Sequence, residues 1–445
     1  MIAFGTQKAP APSVVLPYYA TGAVVFLLIT LLLFFCAGDL TGHYFQPHLL
    51  TLTHLTALGW ATMLIFGASH QLLPVVMEVH LFSERLARYC LYLLIPGIAL
   101  LVVAFWLFRP DWMMQLGALL LLAAFVLYAI NVQGTARRKA GSDVVAECIV
   151  TASWWLVLTA ALGTVLVFNL RYAFLPRSHL YYLKVHAHLG LAGWFLLLVM
   201  GVAARLIPMF LLSPVRPGKA VTVAYWCING ALLVFIGMAF FLKTEAYWWI
   251  SACIALFGLL AYGTFLWKVY RKAVRKKNMD VPMKMSLTAL GCLLLPFVWL
   301  GFLFFTQATQ QALTFAVVYG ISLLGGFVTL LILGQTFKTL PFIVWMHRYR
   351  DLLGKTKTPL PRDLYRQKAI RVLFYSYLGG WLLLMTGVLC GTVAIIQLGA
   401  FALVFAAIWY NLSVWRLLLH KVAASTQSKA HGKSGAHGSS RVSES

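Results

Sequence analysis

Charge is what this sequence has least of. Only 10% of its 445 residues are charged, and the acidic share is smaller still, 11 Asp and Glu against 35 Lys and Arg. A soluble chain of this length needs a polar exterior, and 62% hydrophobic residues leave too little of one. A water-soluble domain is therefore excluded. Cysteine is sparse too: seven residues, at 36, 90, 148, 227, 253, 292 and 390, scattered, odd in number and without a CxxC pair. They read as small buried apolar residues rather than disulfide partners or zinc ligands. No A-x-A cleavage site follows the first apolar run, so that run is expected to be a retained helix and not a signal peptide.

What the chain has in excess is apolar length. Its mean hydropathy is +0.86, and twelve apolar runs fall at about 17–37, 48–76, 86–108, 112–134, 145–170, 180–212, 220–242, 245–270, 283–306, 310–345, 369–391 and 394–418. About 20 such residues cross a bilayer core of roughly 30 Å. An all-α protein of twelve transmembrane helices is the expectation, with membrane lipid as its solvent. The net charge of +24 could suggest nucleic acid, but its distribution argues otherwise. With a cytoplasmic N-terminus, only Arg109, Arg171, Arg177, Lys184 and Lys243 fall outside, and the remaining 30 of 35 basic residues fall inside. That asymmetry follows the positive-inside rule. It predicts cytoplasmic termini in a bacterial inner membrane and no nucleic-acid partner. The Ser/Gly-rich tail, 421–445, is expected to be disordered, with His431 and His437 in water.

One segment repeats. "HLTALGWATMLIFGASHQLLP" begins at His54, "HLGLAGWFLLLVMGVAARLIP" at His188, and "ISLLGGFVTLLILGQTFKTLP" at Ile321. Gly recurs at +5 and +13, an aromatic at +6 and Pro at +20, and the copies lie 134 and 133 residues apart. A fixed period implies repeated units. Three pseudo-symmetric groups of four helices are predicted, about 15–140, 141–275 and 280–420, with helices 2, 6 and 10 equivalent. The Gly and Pro positions are expected to serve helix packing.

Histidine in a membrane helix is costly and usually faces a partner or a cavity. His54 and His188 share a repeat offset and a depth, so they are the expected pair of axial ligands for one haem iron, b-type, in an apolar site. His186 lies about 200° around helix 6 from His188 and addresses the other side, toward a second cofactor or a polar network. His48 is about 240° from His54 and is a lesser ligand candidate. His70, His80 and His347, near inner helix ends, are expected to bond locally or meet water. Arg171 and Arg177 precede the H-x-H and are candidate partners for haem propionates.

These residues resemble the haem-copper oxidase superfamily, catalytic subunit I. The likeness covers about residues 15–420 and rests on the helix count, the threefold repeat, His54 near the outer end of helix 2, and the motif His186-x-His188. It implies haem, redox chemistry on oxygen or nitric oxide, an electron-donating cytochrome or quinol, and partner subunits. The chain departs from the family in two places. The H-x-H stands on helix 6, where the family carries it on helix 10, and helix 7, "VTVAYWCINGALLVFIGMAFF", lacks the histidine pair that holds copper. Copper is therefore not expected. A non-enzymatic haem- or copper-handling protein or gas sensor stays open as an alternative, as does a secondary transporter, although transporters commonly show two related halves rather than three.

Overall fold

The computed structural model describes residues 10–141, 143–242, 245–275, 279–306, 310–353 and 355–422. Among the described residues twelve helices are long and apolar enough to cross a membrane: α1 Pro12–Phe35, α2 Pro47–Met77, α3 Glu84–Trp106, α4 Trp112–Ala136, α5 Val144–Tyr172, α6 His179–Leu211, α7 Lys219–Leu242, α8 Trp248–Arg271, α9 Val281–Phe305, α10 Gln311–Leu352, α11 Gln367–Leu389 and α12 Val393–Leu418. Among the described residues there is no strand. This is the architecture of an integral membrane protein. Most of the tail expected to be disordered, 423–445, lies outside the described residues, and His431 and His437 with it.

The scarce acids are spent at helix starts. Asp111, Asp143 and Asp280 each accept a backbone N–H of the first turn, from Met113, Val145 and Met283. A carboxylate there satisfies an orphan donor and favours the positive end of the helix dipole. Of the cysteines, Cys36, Cys90 and Cys148 are buried as expected, whereas Cys253 and Cys390 are exposed.

Three features recur at the sequence period. First, α2, α6 and α10 are the innermost helices: 67%, 72% and 67% of their apolar windows are buried, against 50% or less in every other span. Second, each winds as a π-helix over eight residues, Leu55–Thr62, Leu189–Leu196 and Ser322–Thr329, starting immediately after His54, His188 and Ile321. Third, the glycine at +13 seats each inner helix on the helix that precedes it, α2 on α1, α6 on α5 and α10 on α9. A Cβ would lie 2.6 Å from Tyr18 Cβ at Gly67, 2.6 Å from Cys148 Cβ at Gly201 and 2.6 Å from the Pro282 carbonyl at Gly334. Only a residue without a side chain permits that approach. The aromatics at +6, Trp60, Trp194 and Phe327, are fully buried, and Trp194 Nε1 donates to Thr62 Oγ1 at 3.1 Å, joining α6 to α2.

Consecutive helices pair extensively, α3 with α4, α5 with α6, α7 with α8, α9 with α10 and α11 with α12. Helix α12 also packs along α1, where Asn411 Nδ2 donates to the Ala23 carbonyl at 2.8 Å. At the repeat's prolines, α2 and α6 end alike. Glu78 and Leu212, four residues after Pro74 and Pro208, take left-handed backbone at φ 59° and 52°. Helix α10 instead runs on past Pro341.

Candidate functional site

Between the inner helices, at the end of the bundle that carries the α1–α2 and α5–α6 connections, lies a cavity of about 2010 Å³. Ordinary ligand pockets hold about 300–1,000 Å³, so this one has room for a large ligand or for more than one. Its lining is apolar apart from a few hydroxyls and histidines, and among the described residues its only charged ones are Lys184 and Glu245, paired at 2.7 Å. His54, His186 and His188 all face it and are partly accessible to it.

Each ring is held the same way. His54 Nδ1 lies 2.8 Å from the Leu50 carbonyl, His188 Nδ1 2.7 Å from the Lys184 carbonyl, and His186 Nδ1 3.0 Å from the Thr159 carbonyl on α5. A carbonyl only accepts, so each Nδ1 donates its proton and each Nε2 is the unprotonated nitrogen. His54 and His188 bond the carbonyl four residues back, so the repeat extends to the ring orientation. A fixed tautomer with a free Nε2 is what a metal-binding imidazole needs.

The pairing of the rings differs from the expected one. The ring that faces His54 belongs to His186, with centroids 6.3 Å apart and planes 22° from parallel. His188 is on the other side of α6, against Phe235 of α7 at 5.3 Å and Tyr319 of α10 at 6.0 Å. The Tyr319 hydroxyl lies 3.2 Å from His188 Nε2 and donates to it. The two histidines of the H-x-H thus address different sides of the helix, as their spacing predicts, but it is His186 that turns toward α2. Two features make room for it. Gly163 on α5 stands where a Cβ would lie 2.8 Å from His186 Cε1, and Phe105 of α3 backs the His54 ring at 4.7 Å.

The chain matches no protein-family model and no curated protein. What the site can do rests on its own geometry.

The separation of the His54 and His186 rings is compatible with a metal between two imidazoles. A metal–imidazole bond is about 2 Å and the ring nitrogen lies about 1 Å from its centroid, so two opposed rings on one metal stand roughly 6 Å apart. The observed 6.3 Å matches this spacing. Arg171 and Arg177 do not line the cavity. Arg171 is exposed at the end of α5, and the Arg177 guanidinium lies over the Tyr181 ring at 4.7 Å. The cation that does reach the cavity is Lys184. Tyr319 was not among the residues singled out from the sequence, although it occupies the repeat position of His186, two residues before Ile321.

The remaining histidines divide. His48 pairs with Asp39, and His43 Nδ1 accepts the Phe45 N–H at 2.9 Å. His70 departs from its expected local bonding. It is fully buried with neither ring nitrogen bonded, packed among Tyr18, Phe66 and Tyr128 at 5.6–6.3 Å.

Proposed function

We propose that the protein is a haem-binding membrane redox protein, with its twelve helices in three groups of four in the manner of subunit I of the haem-copper oxidases. The observation that carries this reading is the His54–His186 pair, 6.3 Å apart with both Nδ1 protons tied to backbone carbonyls in an apolar cavity. The recurring π-helical turns and buried inner helices support the grouping.

When bound, a b-type haem supplies a one-electron couple at its iron. The chain does the rest. His54 and His186 offer their Nε2 lone pairs, and the Leu50 and Thr159 carbonyls fix both tautomers. Phe105 and the aliphatic lining keep water from the site, which favours whichever iron charge state is less in need of solvation. Lys184 offers a cation to a carboxylate at the mouth, in exchange with Glu245. His188 and Tyr319 form a hydrogen-bonded pair on the opposite side of α6, open to the same cavity and suited to holding a second ligand or a proton. A cytochrome or a quinol is the electron donor in this reading, partner subunits deliver it, and both termini face the cytoplasm of a bacterial inner membrane.

The optical spectrum of the purified protein tests the proposal. A Soret band with sharp reduced α and β bands is expected. Its loss in both His54→Ala and His186→Ala is expected as well. A wild-type protein purified with haem supplied, yet free of any Soret band, refutes the reading.

A further inference from the structure

Outside the cavity, three side chains of different chemistry converge at the mouth of the first helical hairpin. Cys36 caps the C-terminus of α1 and is 6% exposed. Asp39 sits in the single 3₁₀ turn Ala37–Thr41 that follows, and His48 is the second residue of α2. One donor atom from each lies within 4.8 Å of the other two. His48 Nδ1 and Asp39 Oδ2 are 2.6 Å apart.

The arrangement is built. The Asp39 carbonyl accepts Gln46 Nε2 at 2.5 Å and the Gly42 N–H at 3.1 Å, which ties the turn to the start of α2. The Trp106 ring of α3 lies 4.2 Å from the His48 ring and limits how it can turn. The electrostatics also single it out. Among the described residues nine acids form ion pairs; eight face Lys or Arg, and Asp39 alone faces a histidine. In a chain with 35 basic residues, this ion-paired carboxylate, beside a thiol and an imidazole, has no Lys or Arg as its partner. A Lys or Arg there would repel a metal ion; a histidine is itself a ligand.

We propose that Cys36, Asp39 and His48 form a three-ligand site for a divalent metal ion of the borderline class, zinc. Zinc takes Cys sulfur at about 2.3 Å and His nitrogen or carboxylate oxygen at about 2.0–2.2 Å in a tetrahedron, which spaces its donors about 3.3–3.8 Å apart. The three atoms reach that spacing by shifts of about 1 Å, with the ion taking the place of the His48–Asp39 hydrogen bond. The thiolate disfavours hard cations such as calcium and magnesium, and the carboxylate disfavours copper(I). Asp39 and His48 side chains are 34% and 39% exposed, so the fourth position opens toward solvent, as in three-ligand sites that keep a water. The site is independent of the haem reading and uses none of its residues.

The test is zinc binding by the full-length purified protein against a competing chelator, followed by X-ray absorption at the zinc edge. One zinc per chain with a single sulfur neighbour is expected. Cys36→Ser removes the sulfur shell, and Asp39→Asn and His48→Gln each weaken binding at least tenfold, since even outer-shell partners of a metal account for 10- to 100-fold. Should Cys36→Ser fail to fold, zinc must slow maleimide labelling of Cys36 in the wild type at least tenfold. An all-nitrogen/oxygen shell, a sulfur shell that survives Cys36→Ser, or unprotected Cys36 at saturating zinc each overturns the site.

Discussion

Replacing Gly163 by Ala puts one methyl group where the structure has no room for it. The new Cβ would lie 2.8 Å from His186 Cε1 and 3.2 Å from Nδ1, where ordinary contact begins at 3.4 Å. The ring must therefore retreat by about 0.6 Å, away from α5. That motion lengthens its bond to the Thr159 carbonyl from 3.0 Å to about 3.6 Å, beyond hydrogen-bonding distance. It also narrows the 6.3 Å gap to His54 below what two metal–imidazole bonds of about 2 Å require. The lost hydrogen bond costs about 1 kcal/mol and the overpacking about 1–3 kcal/mol. Together they correspond to a haem affinity about 30- to 1,000-fold weaker. Haem titration of apoprotein in detergent, read by the low-spin bands, measures it. Gly230→Ala is the control, because no heavy atom lies within 4 Å of a Cβ there, and its affinity should match wild type within about 0.5 kcal/mol. Wild-type affinity and spectrum in Gly163→Ala would refute the assignment of His186 as a ligand.

Three further outcomes are expected. His188→Ala should keep the low-spin spectrum that His54→Ala and His186→Ala lose, because its ring faces Phe235 and Tyr319 on the far side of α6; a His188→Ala spectrum without low-spin bands, beside a wild-type-like His186→Ala, would restore the pairing by repeat offset. Reporter fusions at Lys139 and Lys357 should read as cytoplasmic and fusions at Asp111 and Glu245 as external, from the 30-to-5 split of basic residues; an external signal at Lys139 inverts the topology. At His420, burial and then the Arg348 cation hold the imidazole below its ordinary value of 6.5, and its Nε2 is hydrogen-bonded with the Tyr349 hydroxyl at 2.8 Å. A depressed folded value means the unfolded state binds more protons, so this contribution is complete above pH 6.5 and is lost as the pH falls below it through the folded value. Hydrogen exchange at the end of α12 should speed up on acidification in the wild type and stay flat in His420→Gln.

The spans were legible in the sequence because a lipid-facing helix must be apolar along its whole length. The expected 48–76, 180–212 and 310–345 compare with Pro47–Met77, His179–Leu211 and Gln311–Leu352. The packing use of Gly67, Gly201 and Gly334 was legible for a similar reason, since close approach demands the same residue in every copy. The facing of the rings was not. Equal offsets suggested His54 with His188, but which ring crosses to α2 depends on the space left by Gly163 on a different helix. The π-helical turns were also invisible: each adds about one residue to its turn, and so rotates everything beyond it by about 100° relative to an α-helical wheel. The Cys36, Asp39 and His48 juxtaposition depends on a 3₁₀ turn that no periodicity announces. Tyr319 did have a signal, its register with His186, which only a comparison extended two residues upstream of the repeat would have caught.

The packing of α12 along α1 turns the linear order of the helices into a cycle. An even number of crossings brings Pro12 and Leu418 to the same face of the bundle, on helices already joined by the Asn411–Ala23 hydrogen bond. Neither terminus then marks a structural beginning. A chain joined end to end through a flexible polar linker and recut in the connection before Val144 or before Val281 would keep every helix contact, including those around His54 and His186. Such circular permutants should insert and assemble like the native order.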